Sequence, residues 1–477
     1  MTTSPTSETP TASAPRPSRP DTEEIVALLP QLLSDPGEAL LALRERHGPL
    51  VHITVEGTPV NVLIVNEPGI VRDVLVDRGH DLVKGRGLQT TRALLGDGLL
   101  TSEGEIHARH RRLVAPAFHR SRLERYARTM ADRARVHVAS WPRGETVDIH
   151  ELMGSLMLDI VGRTLFDVDL TGDSAGIGGA VTDLLVHFGS QTPLGQLLGV
   201  EPDPEEEARA ETALATLESL VTRLISDRRA DPSDRGDLLS MLVAARDEDG
   251  DGSGLTDAEI RDEVMTLLLA GHETTANALS WTVHLLSHRP DIVDSCAVEA
   301  DLIRLSRGNG ADHRASPAET MERRPQSTAE IMERQPQLTA VLNESLRLFP
   351  PAWAMGREAL RPVTLGGVDL PPEAQVLLTP WVLHRDDRFW DHPDEFMPQR
   401  WNSAEVASHH RFVFFPFGGG ARSCIGEHFA RMEAMTVLNE MLTLVTFRPL
   451  EGHMVGRDHS LTLRPAHGVM VELADRS

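Results

Sequence analysis

The sequence is short of cysteine, of positive charge and of uninterrupted apolar runs, and each shortage excludes something. Two cysteines, Cys296 and Cys424, in 477 residues leave no disulfide framework to build and fit a reducing compartment, the cytoplasm. The 47 basic residues face 71 acidic ones, a formal charge of −24, which argues against nucleic acid or an anionic membrane surface as a main partner. The most apolar long stretch, Val264 to Leu286, is interrupted by His272, Glu273 and Asn277 and is too polar to span a bilayer unaided. The Ser/Thr/Pro-rich start has no apolar core. Residues 1–21 therefore read as a disordered tail, neither signal peptide nor anchor. No composition shift marks a linker, so residues 22–477 are expected to form one domain.

What is present is mostly helical pattern. From Thr22, residues Ile25, Leu28, Leu29, Leu32 and Leu33 share a helix face. Residues 50–55 and 60–65, joined through Glu56 to Pro59, predict a β-hairpin. Helical periodicity dominates from Pro68 to about Leu444, broken by an extended stretch from Pro362 to Val382. A closing hairpin is expected from Leu461–Leu463 and Val469–Leu473 around His467 and Gly468. The expected class is mainly α with a small β portion. Two oddities stand apart. Asp247 to Gly252 starts like a calcium loop, but the glutamate due at its twelfth position is Ala258, with Glu259 one residue late. An acidic loop ending at the capping box Thr256-x-x-Glu259 is the better reading. A tandem repeat, Thr320–Ala329 echoed by Ile331–Ala340, reads as a duplication lengthening a surface connection.

The most informative segment is Phe417-Gly418-Gly419-Gly420-Ala421-Arg422-Ser423-Cys424-Ile425-Gly426. A lone cysteine in a glycine-rich loop, two residues after an arginine, is held for ligation or chemistry, since thiolate is favoured by nearby positive charge and backbone N–H groups. A long helix is expected from about Asp257 to His288. It carries Ala270-Gly271-His272-Glu273-Thr274-Thr275-Ala276, where an acid beside a hydroxyl can relay protons. Gly271 inside that helix, about 1 kcal/mol worse than Ala, signals close approach by a ligand or a local widening. Glu344 and Arg347, at i and i+3, are close enough to pair.

The pattern Phe417-x-x-Gly420-x-Arg422-x-Cys424-x-Gly426 resembles the haem-ligand loop of the cytochrome P450 family, and residues 270–275 resemble that family's acid–alcohol helix motif. The resemblance runs from about residue 25 to the C-terminus. It implies a single-domain P450 fold with haem b between the long central helix and the cysteine loop. Cys424 would be the axial iron ligand, Phe417 the ring shielding the thiolate, and Gly426, Ala270 and Gly271 neighbours of the cofactor. Glu273 and Thr274 would deliver protons. His107, Arg111, Arg357 and Arg422 would hold the propionates. Glu344 and Arg347, completed by Arg400 from Phe396-Met397-Pro398-Gln399-Arg400-Trp401, would form a buried structural cluster. Trp401 stands where the family has Phe, and Asp387 where proline is common.

The implied activity is insertion of one oxygen atom from O2 into a small apolar molecule, a terpenoid or polyketide of bacterial secondary metabolism, with a fatty acid as the alternative. Residues 84–100, 181–200, 266–270 and 353–355 would wall the pocket. Electrons would come from a separate ferredoxin and its NAD(P)H-dependent ferredoxin reductase. Arg109, Arg111, Arg112, Arg120, Arg122 and Arg125 would dock the acidic ferredoxin. The chain is expected to act as a monomer with no membrane contact. A peroxygenase without redox partner and a haem-based sensor are the competing readings; the Glu273–Thr274 pair and the arginine cluster argue against the first. The sensor would need an output element that is not found.

Overall fold

The structure is a computed structural model that describes residues 16–170, 174–190, 203–248, 250, 252–308 and 328–476. The helices that position the site are α1 (Thr22–Ser34), α2 (Pro36–His47), α3 (Gly104–Val114), α4 (Arg120–Ser140), α5 (Ile149–Leu165), α6 (Ser174–Ser190), α7 (Pro204–Ala230), α8 (Asp257–Ser287), α9 (Pro290–Gly308), α10 (Thr328–Arg334), α11 (Pro336–Leu348) and α12 (Glu427–Leu444). The strands are β1 (Leu50–Thr54), β2 (Asn61–Val65), β3 (Leu82–Lys84), β4 (Thr146–Asp148), β5 (Met355–Ala359), β6 (Val363–Leu365), β7 (Val368–Leu370), β8 (Gln375–Leu378), β9 (Val445–Pro449), β10 (Gly456–His459), β11 (Leu463–Ala466) and β12 (Met470–Asp475).

α8 is the spine. Its 31 residues span about 46 Å at 1.5 Å per residue. The expected capping box starts it: Glu259 N donates to Thr256 Oγ1 at 3.2 Å, and Thr256 N donates to Glu259 Oε2 at 2.7 Å. α5, α7, α11 and α12 pack around it, and their apolar faces make the main core with Met153, Leu156, Leu217, Val264, Leu279, Leu342 and Leu438. No helix among the described residues is long and apolar enough to cross a membrane.

The expected hairpin β1–β2 forms in register Leu50 opposite Val65. It extends through β8 and β5 to β3, a five-stranded sheet in the order β1-β2-β8-β5-β3 with only β2–β8 parallel. A second core lies against this sheet around Leu63, Val71, Val376 and Phe412. The closing hairpin does not form as expected. β11 turns back onto β10, whereas β12 lies between β4 and β9. His467 and Gly468 do have positive φ, 67° and 72°, the local signal of a tight hairpin. Val469 N, however, donates to Asp148 Oδ1 at 2.9 Å, and the turn hands the chain from one sheet to another.

The repeat also departs from expectation. Residues 320–327 lie outside the described residues, but the second copy is no surface connection. It forms the second half of α10 and the start of α11, with Leu338 fully buried. Buried Gln335 donates from Nε2 to Asn439 Oδ1 at 2.8 Å. A leucine and a satisfied amide at these positions give the second copy a place in the core.

Candidate active site

From Glu263 to Val283, α8 is buried except at Ala270, Gly271, Glu273 and Thr274. These four open the middle of an interior helix to an inner space. Thr274 Oγ1 donates to the Ala270 carbonyl at 2.7 Å, the i−4 bond expected of a helical threonine. Burial raises the Glu273 carboxyl above its usual range, opposed by Thr462, Arg464 and Asn277. α8 stays α-helical through Gly271, so the suggested widening is absent. A side chain there would meet Val161 of α5 at 3.4 Å; the glycine lets α5 and α8 pack closely.

The cysteine loop is held from several sides. Gly418 and Gly420 have φ of 69° and 68°, and a side chain at Gly420 would collide with the Leu75 carbonyl. Cys424 N donates to the Phe417 carbonyl at 3.0 Å, while the Arg431 guanidinium lies 4.8 Å over the Phe417 ring. Gly426 begins α12. Protein atoms do not force a glycine there, since a Cβ would sit an ordinary 3.9 Å from Cys424 Sγ. Cys424 lies deep in the fold yet presents open surface, so it faces an internal space. Desolvation pushes its thiol up to about 11, against the Gly426 N–H and the Arg111 charge, which pull it down. A coordinated cation reverses that balance by binding the thiolate. The other cysteine, Cys296, is buried, with its thiol pushed up to about 12.

Beside the loop lies a cradle of cations. Arg357 is 9% exposed and has no ion-pair partner among the described residues; Nη1 donates to the Gly356 carbonyl at 2.8 Å. Burial, then Arg422, lower its pKa to about 10. Arg422 pairs with Glu103, Nε at 3.0 Å. Buried His107 is lowered to about 4 by desolvation and by Lys84, Arg422 and Arg111. Arg111 also holds the cysteine loop: its Nη1 donates to the Ser423 carbonyl at 2.8 Å. Two members escape motif reading. Lys84, 5% exposed, donates to the carbonyls of Leu99 and Ser102, both at 2.8 Å, and is lowered to about 8 by desolvation. Glu103 accepts from Lys84 N at 2.6 Å. One signal was available: Lys84 is the only lysine among the 47 basic residues, and it is buried. Arg357, Arg422, Lys84 and His107 around a single carboxylate fit a buried group carrying two further negative charges. Largely buried cations such as Arg357 and Lys84 are costly without such partners.

The structural cluster forms as expected. Fully buried Glu344 accepts from Arg347 Nε and Nη2 at 2.9 and 2.8 Å, and from Arg400 Nε at 3.0 Å. Met397 N at 3.1 Å and Trp401 Nε1 at 2.9 Å complete it. Trp401 thus adds a donor that phenylalanine lacks. Asp387 is used too, accepting from Arg44 at 2.8 Å.

The arginine cluster of residues 109–125 is far less free than its sequence suggests. Arg109 pairs with Glu259 at 2.6 Å and Arg112 with Asp247 at 3.0 Å, which also removes Asp247 from any calcium loop. Arg122 pairs with Asp234 at 2.7 Å and Arg120 with Glu124 at 3.3 Å. Of the expected pocket walls, residues 191–200 lie outside the described residues. Trp353 is fixed by its Nε1 donating to the Ser460 carbonyl at 3.0 Å.

Comparison with known proteins points to one family. The family model described as Cytochrome P450 matches residues 17–471. Cyclooctatin synthase of Streptomyces melanosporofaciens is 35% identical over 416 residues, 86% of each chain. Pentalenene oxygenase of Streptomyces avermitilis is 33% identical over 401 residues, 83% of this chain and 84% of that one. A crystal structure of the cytochrome P450DA heme domain superposes with a TM-score of 0.80 at 26% identity, covering 97% of this chain and 98% of the other.

Proposed function

Because the chain belongs to the cytochrome P450 family and is a haem-thiolate monooxygenase, we propose that its haem domain, residues 22–477, holds the cofactor between Cys424 and the Ala270–Thr274 stretch of α8. We further propose that it oxidises an apolar carbocyclic molecule of the terpenoid kind. When bound, haem would supply dioxygen activation, a chemistry that a cysteine thiolate ligand favours. Everything else falls to this chain's residues. Cys424 ligates the iron and Phe417 shields its sulfur, with Arg111 keeping the loop in place through Ser423. Arg357, Arg422, His107 and Lys84 hold the propionates, arginine pairing bidentately with carboxylate. Glu273 gives up and regains a proton, and Thr274 passes it on from a hydroxyl fixed to the Ala270 carbonyl.

The observation that carries this reading is the cation-lined recess holding one carboxylate, set beside a cysteine that opens inward. The substrate class is supported by the relatives' names, cyclooctatin synthase and pentalenene oxygenase. Electrons come from a ferredoxin and its reductase, and the enzyme works in the cytoplasm as a monomer.

The test is a visible-spectrum titration of the purified protein with cyclic hydrocarbons, macrolides and fatty acids. A low- to high-spin shift with the cyclic hydrocarbons supports the proposal. A shift with fatty acids alone overturns the substrate class, and a haem band that persists unchanged in Cys424→Ala overturns the ligand assignment.

A further inference from the structure

The β10–β11 hairpin reaches the acid of α8 from outside the helix. Asn277 Nδ2 donates to buried Thr462 Oγ1 at 3.1 Å, and Trp281 Nε1 donates to the Leu463 carbonyl at 3.2 Å. The hairpin tip is thereby pinned to the face carrying Glu273. Thr462 and Asn277 lie close enough to favour the charged carboxyl, yet Glu273 Oε2 is buried without a hydrogen-bond partner. Thr462 continues into a cross-strand pair: Asp458 stands opposite Arg464 in the ladder, with Arg464 Nε 2.6 Å from Asp458 Oδ2. Their side chains are 31% and 22% exposed. They are also the charged groups that act on Glu273, Arg464 lowering its pKa and Asp458 raising it.

We propose that this hairpin tip is the proton inlet of the acid: Thr462 and Asn277 position the Glu273 carboxyl, and the partly exposed Asp458–Arg464 pair is the port through which it recovers protons from water. The inference rests on the proton-delivery reading of Glu273. Each proton the carboxyl hands on is replaced by one from solvent, so the acid returns to its starting state. Asp458, Arg464 and Thr462 are positioning residues, acting through Glu273.

The test uses haem-loaded enzyme and two readouts. Infrared difference titration follows the protonated carboxyl band that disappears in Glu273→Gln, and product formed per NAD(P)H measures coupling. Arg464→Gln should raise the midpoint of that band and Asp458→Asn should lower it, each by about half a pH unit or more. Opposite signs matter, because two variants that merely loosen one ion pair would move it the same way. Thr462→Val should lower coupling at least twofold, with Thr462→Ser restoring it. Midpoints unchanged or shifted alike in Arg464→Gln and Asp458→Asn overturn the inlet. A fully coupled Glu273→Gln instead overturns the reading of Glu273 itself, so the two failures are distinguishable. Should Thr462→Val fail to fold, the charge pair still decides.

Discussion

Glu344→Gln tests the buried cluster with least change of shape. Oε1 of Glu344 accepts from Arg347 Nη2, Arg400 Nε and Met397 N, and Oε2 accepts from Arg347 Nε and Trp401 Nε1. A glutamine can keep its oxygen on the first set, but its NH2 then confronts two donors. Both guanidiniums also lose the one anion that each has among the described residues, Arg347 in a fully buried place and Arg400 in a largely buried one. Removing one partner of such a cluster costs about 3–5 kcal/mol, against a whole-protein stability of roughly 5–15 kcal/mol. Trp401→Phe removes one hydrogen bond to a charged group, about 1.5–3 kcal/mol. In the Glu344→Gln background that loss vanishes, because the indole already faces a donor. The double-mutant cycle should therefore return most of the Trp401 value as coupling. Urea unfolding followed by far-ultraviolet circular dichroism, with haem content measured alongside, gives all four corners. A Glu344→Gln midpoint equal to wild type, or a coupling near zero, would refute the reasoning. Arg347 also donates to the carbonyls of His384 and Pro393 at 2.8 and 2.6 Å, so haem occupancy should fall with stability as the segment leading to the cysteine loop loosens.

Arg357→Gln should leave the haem-free chain as stable as wild type or more so, since it removes a buried charge with no acid partner. It should weaken haem retention by about 10- to 100-fold, the loss of one charge-assisted bond; equal loss in both forms would contradict the cradle. Thr274→Ala should keep electron consumption near wild type while product per NAD(P)H falls several-fold, and full coupling would remove its role. Buried His272 and His459 and half-buried His284 are lowered to about 4, and buried His384 to about 3, with desolvation the largest cause in each. Below the unfolded pKa of about 6.5 the unfolded chain binds protons that the folded chain refuses, so stability rises with pH across the window from about 4 to 6.5. Each such histidine adds up to about 1.4 kcal/mol per pH unit, and His384→Asn should flatten that acid limb by about one proton. Asp247→Asn releases Arg112 and loosens Arg109, so reduction by an acidic ferredoxin should speed up at low ionic strength, by about two- to tenfold, and depend more steeply on salt; an unchanged slope would count against docking there.

Local signals carried most of what the sequence disclosed. The capping box of α8, the β1–β2 hairpin, the glycine positions of the cysteine loop and the Glu344–Arg347 pair each depend on residues a few positions apart. What escaped was decided by distant partners. The acids that occupy the arginine cluster, Asp234, Asp247 and Glu259, lie more than 100 residues further along the chain, so a run of cations looked bare. Arg111 sits one turn after His107 and reads as its companion, but its bond to Ser423, far along the chain, could not be read there. The turn at His467–Gly468 has hairpin geometry, yet only the partners of β12 determine which strand it joins. Lys84 and Glu103 belong to no motif and meet the cradle only through folding.

Lys84 has a practical consequence. With a single lysine in the chain, amine chemistry has one side-chain target besides the amino terminus, and that target lies in the cradle. Reductive methylation with 13C-labelled formaldehyde would therefore yield a two-probe NMR spectrum, in which the Lys84 signal is the one that Lys84→Arg removes. Its chemical shift would titrate near pH 8 in the haem-free protein and move when anionic groups arrive, reporting cofactor loading without any engineered label.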